Sequence, residues 1–368
     1  MDKSGFIMKI SGISIRANRP EPIISDIDVV PYKQKIDPQI AVEDLLAGYY
    51  VLIVDFYSSG LMILRELKKH LKYTYSDTSF KGQRSFRSAY QKLSNRLLLE
   101  VRNDKLAVRK SPAIGWLKIL YPEIDEFLLS FPQIQGLNSS WQWYEKGILI
   151  PVLNRKIHPW FGTYFPTRYE HLELFDNWLK QYKGKKKSAI DIGIGSGILS
   201  FLMLKHGFKK VCGTDLNPNS IIGINEDLKQ NKIYSKVDLI HGDLFGDSNL
   251  KTGLIVFNPP WLPAEYKSEG LDKSIYYDDD LFLRFFTEAK KHLKTDGRVV
   301  LLFSNLAQIT NVADIHPIKT ELSYGGRFQK ELFIQKKVRI ASKKTRRNPN
   351  QRSSEMVELW VLKPIDNL

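Results

Sequence analysis

Cysteine is almost absent from this chain, since Cys212 is the single one among 368 residues. One thiol can form neither an internal disulfide nor a cluster of cysteine metal ligands, so disulfide-stapled and cysteine-zinc folds are excluded. We therefore expect a protein suited to a reducing compartment, the cytoplasm, and we expect no bound metal.

Long apolar runs are also scarce. The N-terminus, MDKSGFIMKI, lacks the apolar core of a signal peptide, so none is expected there. Residues 45–64 are apolar enough to suggest a membrane span, but Asp55 falls at their centre with Ser58, Ser59 and Gly60 beside it. The sequence therefore favours a buried segment of a globular domain here, and no membrane partner.

The length and composition indicate two folded domains. A chain of 368 residues exceeds one ordinary domain, and a hydrophobic fraction of 43% is typical of globular proteins. We predict an N-terminal domain over residues 1–150, which recognises substrate, and a catalytic domain over residues 151–368. In the first, a helix over 85–95 followed by a hairpin over 97–109 is compatible with a winged-helix module, but the pattern favours an ordinary α+β scaffold.

From residue 188 onward, short apolar runs alternate with helical patterns. The predicted strands are 188–194, 211–216, 237–245, 254–257 and 298–304, and the predicted helices are 197–206, 220–230 and 281–293. This alternation predicts an α/β fold with a doubly wound, mostly parallel sheet. Ligands of such sheets bind outside the carboxyl ends of the strands, so the last residues of each strand are candidate site residues.

The first of these strands ends in a glycine-rich loop that leads into a helix. Asp191 is followed by Gly193, Gly195 and Gly197, which let a ligand approach the backbone and the helix N-terminus. The dinucleotide fingerprint requires a small residue where this chain has Ile198, which disfavours NAD.

The next two strands each end in an acid. Thr214-Asp215 places a carboxylate where it can accept both hydroxyls of a ribose, and Gly242-Asp243-Leu244 places an acid beside an apolar residue, as an adenine pocket requires. A single acid at such a position is more often a cap or a turn residue. Three acids at three successive strand ends, together with a glycine loop, favour a nucleoside site.

The fourth strand ends in Asn258-Pro-Pro-Trp261. Two prolines remove two backbone donors and fix two φ angles, so pairing stops and a carboxamide and an indole are held rigidly at the tip of the strand.

Together, these four motifs resemble the ordered motifs of class I S-adenosylmethionine-dependent methyltransferases, over roughly residues 155–364. Asn-Pro-Pro-aromatic resembles the amino-methylating branch, which includes release-factor glutamine, ribosomal-RNA guanine and adenine, and adenine-specific DNA methyltransferases. The resemblance implies S-adenosylmethionine as cofactor and a seven-stranded sheet. It implies these cofactor-binding residues: Thr167, Asp191, Gly193, Gly195, Gly197, Asp215, Leu216, Asp243, Leu244 and Asn258.

Residues 158–168 are similar to the segment that covers the cofactor in the glutamine and small-domain methyltransferases. They differ from the glutamine enzymes in having Pro166-Thr167-Arg168 where those enzymes usually carry proline-arginine directly. This difference counts against a protein-glutamine substrate.

The catalytic residues implied by this motif are Asn258, Pro259, Pro260 and Trp261. An amide or base amino group is a poor nucleophile, because its lone pair is delocalised. If the Asn258 oxygen and the Pro259 carbonyl accept its two hydrogens, the lone pair points at the methyl donor and positive charge on nitrogen is stabilised. Trp261 offers a face on which a planar group can stack. Much of the rate acceleration then comes from positioning the nucleophile against the methyl donor, and neither a metal nor a strong base is needed.

The net charge of +15 is concentrated near the C-terminus, because residues 319–352 hold eleven Lys or Arg and two Glu. This segment is either a solvated loop or a phosphate-binding surface. We predict a sixth strand over 331–340 and an antiparallel seventh over 357–362. By the resemblance, the sixth runs parallel to the catalytic strands, so the loop after it leaves from the substrate side. The predicted nucleic-acid contacts are Lys336, Lys337, Arg339, Lys343, Lys344, Arg346, Arg347 and Arg352.

These observations favour a two-domain methyltransferase that acts on a planar amino nitrogen of a base in RNA. The alternatives are a protein-glutamine or a DNA-adenine methyltransferase, and a nucleic-acid-binding protein whose methyltransferase domain is inactive. The intact acids and Asn258 argue against the inactive protein.

Overall fold

The computed structural model describes residues 5–77, 80–264, 275–339 and 354–365. The chain divides into two compact units, each described by itself below. The first comprises Met1–Met8 and Arg16–Lys146, and the second comprises Lys9–Ile15 and Gly147–Leu368.

The N-terminal part of the chain is mixed α and β. Its strands are β1 (Ile7–Ile10), β2 (Ile13–Arg16), β3 (Val29–Tyr32), β4 (Tyr50–Ile53), β5 (Leu97–Arg102), β6 (Lys105–Leu106) and β7 (Glu126–Ser130), and its helices are α1 (Pro38–Ala47), α2 (Tyr57–Thr74), α3 (Phe80–Ser94), α4 (Trp116–Leu120) and α5 (Phe131–Lys146). The predicted hairpin is confirmed as the antiparallel pair β5–β6. However, β3, β4 and β5 pair in parallel, so the hairpin belongs to a five-stranded mixed sheet and not to the small wing of a winged-helix module.

The apolar stretch 45–64 is divided among α1, β4 and α2. Asp55, between β4 and α2, accepts hydrogen bonds from the backbone amide of Gln34 at 2.5 Å and from the Ser59 hydroxyl at 2.9 Å. Within the described ranges, no helix is both long enough and apolar enough to span a membrane.

The second unit carries the larger sheet. Its strands are β8 (Ile148–Ile150), β9 (Arg155–Ile157), β10 (Ser188–Ile192), β11 (Lys210–Asp215), β12 (Val237–His241), β13 (Thr252–Phe257), β14 (Leu262–Pro263), β15 (Tyr276–Tyr277), β16 (Leu293–Ser304), β17 (Phe328–Lys337) and β18 (Met356–Pro364). Its helices are α6 (Glu170–Gln181), α7 (Ile198–Lys205), α8 (Pro218–Gln230), α9 (Leu281–His292), α10 (Leu306–Ile309) and α11 (Pro317–Thr320), with 3-10 turns at Pro151–Leu153 and Tyr234–Lys236 and a π turn at Glu321–Gly325.

The predicted seven-stranded sheet is confirmed, with the strand order β12-β11-β10-β13-β16-β18-β17. The first five strands are mutually parallel, and β18 is antiparallel to both of its neighbours. As a result β17 runs in the same direction as the first five strands, as the resemblance implied. Successive residues of β10 enter different cores, Ala189 with α6 and α7 and Ile190 with α9, so apolar helices cover both faces of the sheet.

Three strand predictions were wrong in extent. The fifth, predicted over 298–304, begins at Leu293. The third strand, predicted over 237–245, ends at His241 because the chain turns there: Leu244 and Gly246 adopt φ of +46° and +51°, outside the extended region. The sixth, predicted over 331–340, runs from Phe328 to Lys337, since its first residue is already buried in the core. The ends of β10, β11, β12, β13 and β16 share one edge of the sheet, and the candidate site lies there.

Candidate functional site: the carboxyl edge of the large sheet

The glycine loop joins β10 to α7 through three residues with positive φ. Gly193, Gly195 and Gly197 have φ of +65°, +51° and +77°, which side-chain-bearing residues rarely adopt. At Gly197 space is also limiting, because a Cβ would lie 2.6 Å from Ile224 Cδ1 and 2.9 Å from Phe201 Cε2. The loop can therefore present bare backbone to a ligand while α7 packs closely on α8.

Asp191, near the end of β10, is completely buried. Its Oδ2 accepts the Ser200 hydroxyl at 2.6 Å, whereas its Oδ1 accepts no hydrogen bond from the described residues. Burial raises the pKa of Asp191 to about 7, against the lowering effect of the Ser200 hydrogen bonds. An unsatisfied buried carboxylate oxygen of this kind fits a ligand that brings a donor or a positive charge.

Asp215, the last residue of β11, stabilises the glycine loop through a hydrogen bond. Its Oδ2 accepts the backbone N–H of Gly195 and its Oδ1 accepts that of Asn217, both at 2.8 Å. Burial raises the pKa of Asp215, and these two hydrogen bonds oppose that shift. Leu216, which follows, is exposed. The carboxylate that sequence reasoning placed on a ribose thus also shapes the loop that would hold the rest of the ligand.

Asp243 and Leu244 lie in the turn after β12. The Asp243 carboxylate is exposed and forms a salt bridge with Arg284 on α9, which also bonds Asp280 at 3.0 Å. Leu244 is buried, and its carbonyl accepts the hydroxyl of Thr214. The i, i+4 spacing of Asp280 and Arg284 could have been read from the sequence, but the contact with Asp243 depends on the folded sheet.

Residues 158–168 lie beside the glycine loop. Phe161 and Gly162 offer carbonyls to Asn219 Nδ2 and Asn217 Nδ2, each at 2.8 Å. Trp160 and Thr163 line a small cavity together with Gly195, Ser196 and residues of α8. Thr167 is exposed, and the neighbouring Arg168 pairs with the buried Glu355 at 2.7 Å.

The Asn258–Trp261 segment follows β13 and is partly buried. Trp261 Nε1 donates to Asn258 Oδ1 at 3.2 Å and lies 3.4 Å from the carbonyl of Leu302 on β16. The indole therefore fixes the carboxamide so that its oxygen faces the tryptophan side of the site. Asn258 Oδ1 retains a second lone pair.

His171, on α6, is a neighbour of this segment that no pattern in the sequence singles out. Its ring meets Trp261 edge-on, with centroids 5.7 Å apart and planes at 90°. Desolvation by burial lowers the pKa of His171 to about 4, partly offset by the nearby Glu170, so the imidazole is neutral at physiological pH.

The basic residues predicted to bind nucleic acid divide into two groups. Lys336 pairs with Glu173, and Arg339 lies 3.0 Å from Glu173 and 3.9 Å from Glu170, so acids of α6 neutralise both. Lys337 is exposed. The remaining predicted contacts, Lys343, Lys344, Arg346, Arg347 and Arg352, lie outside the described residues.

Comparison with known proteins shows the family to which this chain belongs. A family model described as "Methyltransferase small domain" matches residues 173–316. A protein of Methanocaldococcus jannaschii named "Putative protein N5-glutamine methyltransferase" is 33% identical over 166 residues, which cover 43% of this chain and 80% of that protein. The protein is thus a class I S-adenosylmethionine-dependent methyltransferase. More narrowly, it belongs to the methyltransferase small domain family.

Other relatives match shorter regions. A ribosomal protein L11 methyltransferase of Lachnospira eligens is 39% identical over 24% of this chain, and a ribosomal RNA small subunit methyltransferase C of Alcanivorax borkumensis is 28% identical over 33% of it. The chain spans 29% and 33% of their lengths, respectively. Among solved structures, a ribosomal protein L11 methylase from Lactobacillus delbrueckii subsp. bulgaricus aligns with 57% of this chain and 86% of its own, at 22% identity and a TM-score of 0.39.

Proposed function

We propose that this enzyme methylates a planar amino nitrogen at Asn258-Pro-Pro-Trp261, and that the amino group belongs to a base in RNA. The observation that carries the proposal is the rigid carboxamide at the carboxyl end of β13, which the Trp261 indole holds at 3.2 Å. A preorganised acceptor of this kind stabilises charge that develops only in the transition state.

The cofactor is held at the neighbouring strand ends. Asp215 accepts the ribose hydroxyls, the backbone of Gly193–Gly197 faces the methionine moiety, and Asp191 attracts its ammonium group. Asp243, Leu244 and Leu216 flank the adenine, and Thr167 lies in the covering segment. The unbonded Oδ1 of Asp191 and the positive-φ glycines support this fit. When bound, S-adenosylmethionine supplies a methyl group already activated on sulfonium, so the protein must only position the nucleophile.

The chain's own groups orient the substrate. Asn258 Oδ1 and the Pro259 carbonyl accept the two amino hydrogens, which aligns the nitrogen lone pair, and the proline rings of Pro259 and Pro260 keep the backbone from moving. Trp261 presents a face for stacking, a contact worth about 1–3 kcal/mol per base in single-strand binders. The nitrogen gains the methyl group and releases one proton.

Charge supports RNA as the substrate class. The net charge is +15, and residues 319–352, which contain the edge strand β17, carry eleven Lys or Arg against two Glu. Since Glu170 and Glu173 neutralise Arg339 and Lys336, the proposed phosphate contacts of this edge fall on Lys337 and on the basic residues 343–352.

A protein glutamine is the second candidate substrate. It is favoured by the match to the archaeal relative, whose name gives that activity and of which the chain covers 80%. An amide nitrogen makes the same demand on Asn258 as a base amino group, so the motif alone does not separate the two.

The test is transfer of a radiolabelled methyl group from S-adenosylmethionine to RNA, DNA and protein fractions of cells that lack the gene. We expect label in RNA, sensitive to ribonuclease and recovered on an amino nitrogen of a base. Label confined to protein and recovered as methylglutamine would replace the RNA proposal with the second candidate. Label on carbon or on a ring nitrogen would contradict the role of Asn258.

A further inference from the structure

The edge of the large sheet opposite the candidate site is densely basic. It consists of the segments that lead into β10, β11, β12, β13 and β16, and we call their lysines the amino-end patch: Lys183, Lys185, Lys186, Lys187, Lys209, Lys210, Lys236, Lys251 and Lys294. Eight of these nine lysines are exposed, and Lys186 is half-buried.

The strand pairing makes the patch one continuous surface. Lys209 N donates to the carbonyl of Lys186 at 2.9 Å, and Lys210 stands opposite Ser188 in the parallel pair β10–β11. On the other side, the hydroxyls of Ser188 and Thr252 are 3.0 Å apart, which brings Lys187 and Lys251 to adjacent strand starts. In the sequence, by contrast, these lysines are spread over more than a hundred residues.

Acidic neighbours do not neutralise the patch. The same segments contain three acids: Asp238, which pairs with Lys210 at 2.8 Å, Asp296, which lies 3.8 Å from Lys185, and Asp247, which forms no salt bridge with the described lysines. The other seven lysines make no ion pair with any acid in the described part of the chain.

Helix ends do not neutralise it either. Helices α6, α7, α8 and α9 lead into this edge, and a helix C-terminus carries about half a negative charge. Four such ends supply about two negative charges, so a substantial positive excess remains. Like charges at this density repel one another, and a polyanion relieves that repulsion.

We propose that the amino-end patch binds the phosphate backbone of a folded RNA, at a surface separate from the target-base contacts. β10 has five residues, so the two edges of the sheet are about 17 Å apart. An RNA that contacts both edges must follow the surface of the domain over at least this distance, and a folded RNA offers phosphates to both edges at once. The inference rests on the proposed RNA substrate and adds the size and fold of that RNA.

The patch differs from a membrane-binding surface. Such surfaces combine basic residues with apolar side chains that enter the lipid. In the described segments of the patch, Phe208, Val237 and Leu293 are buried and Tyr234 is 67% exposed, so the patch offers a lipid surface one tyrosine ring and not a row of apolar side chains.

The test measures binding of a labelled RNA hairpin over a series of KCl concentrations. The patch variant replaces Lys185, Lys186, Lys187 and Lys209 with glutamine. The matched control replaces four exposed lysines of the N-terminal unit, Lys33, Lys35, Lys105 and Lys118, with glutamine. We expect the patch variant to bind at least about tenfold more weakly at low salt, with a salt slope reduced by about 0.7–0.9 for each phosphate that is no longer neutralised. Cofactor affinity stays unchanged in both variants.

Two results would overturn the patch proposal: equal reductions of RNA affinity in the two variants, or binding to phosphatidylglycerol vesicles that depends on the patch while RNA binding does not. Its failure is distinguishable from failure of the proposed function. If RNA accepts the methyl label but the patch variant keeps its salt slope, only the patch proposal fails. If label enters protein alone and the patch variant still shows a reduced salt slope, the proposal that RNA is the methylated substrate fails, and the proposal that the patch binds RNA stands.

Discussion

At the scale of single residues, the three acids near the strand ends differ in burial and in hydrogen-bond partners, which their spacing in the sequence does not reveal. Sequence reasoning predicted Asp191, Asp215 and Asp243 at three strand ends. The structure places Asp191 and Asp215 in the last residues of β10 and β11, and Asp243 in the turn that follows β12. It could not predict that Asp191 is buried and accepts a hydrogen bond from Ser200, or that Asp243 is exposed and forms a salt bridge with Arg284. Both contacts depend on how the helices pack on the sheet.

Replacing Asp215 with alanine should weaken S-adenosylmethionine binding about 10- to 100-fold. A charge-assisted hydrogen bond contributes on the order of 1.5–3 kcal/mol, and here the carboxylate also holds the Gly195 amide. Isothermal titration calorimetry gives the dissociation constant directly. The control is Asp247→Ala, which removes an exposed acid of the same domain. Equal cofactor affinity in the Asp215 variant and the wild type would remove Asp215 from the binding site.

At the scale of elements, most strands of the large sheet and the helices α7, α8 and α9 were predicted to within a few residues, because their apolar periodicity is strong. Helix α6 was not predicted. Errors arose where backbone conformation overrides composition. The third strand is predicted to reach residue 245, where Leu244 and Phe245 are apolar, yet it ends at His241 and Leu244 has a positive φ in the turn that follows. The role of α6 was also missed, since its buried histidine has no signature in the sequence.

The buried face of α6 makes stability depend on pH through His171. The pKa of His171 is about 4 in the folded protein, below the ordinary value of 6.5, so the unfolded chain binds the proton more readily. Its contribution is therefore fully present above pH 6.5 and is lost as pH falls toward 4. It amounts to about 3 kcal/mol at most.

A His171→Gln variant should lack the pH-dependent contribution of His171 to stability. Its unfolding free energy should therefore fall less than that of the wild type between pH 6.5 and 4. Chemical denaturation at a series of pH values measures the difference. His70→Gln, which removes an exposed imidazole, is the matched control and should follow the wild type. Parallel curves for His171→Gln and the wild type would show that His171 is not held neutral.

At the scale of the whole molecule, sequence reasoning found one of the two concentrations of positive charge and missed the other. The C-terminal concentration was evident from a count along the chain, whereas the amino-end patch is assembled from five separate segments and becomes visible only when parallel pairing aligns the strand starts. The Asn258–Trp261 motif, proposed to bind the target base, lies at the carboxyl edge of the sheet, and the amino-end patch lies at the opposite edge.

The central claim is that Asn258 serves the methyl acceptor and contributes little to cofactor binding. The direct measurement compares Asn258→Ala with the wild type in two assays: methyl transfer to the accepted nucleic-acid fraction and calorimetric titration with S-adenosylmethionine. Asn305→Ala, at the end of neighbouring β16, controls for loss of an asparagine at this edge and should retain turnover. We predict that Asn258→Ala loses about 10²–10³-fold in turnover while its cofactor dissociation constant changes little. Surviving turnover, or a loss fully explained by weaker cofactor binding, would contradict amino-methylation at this motif.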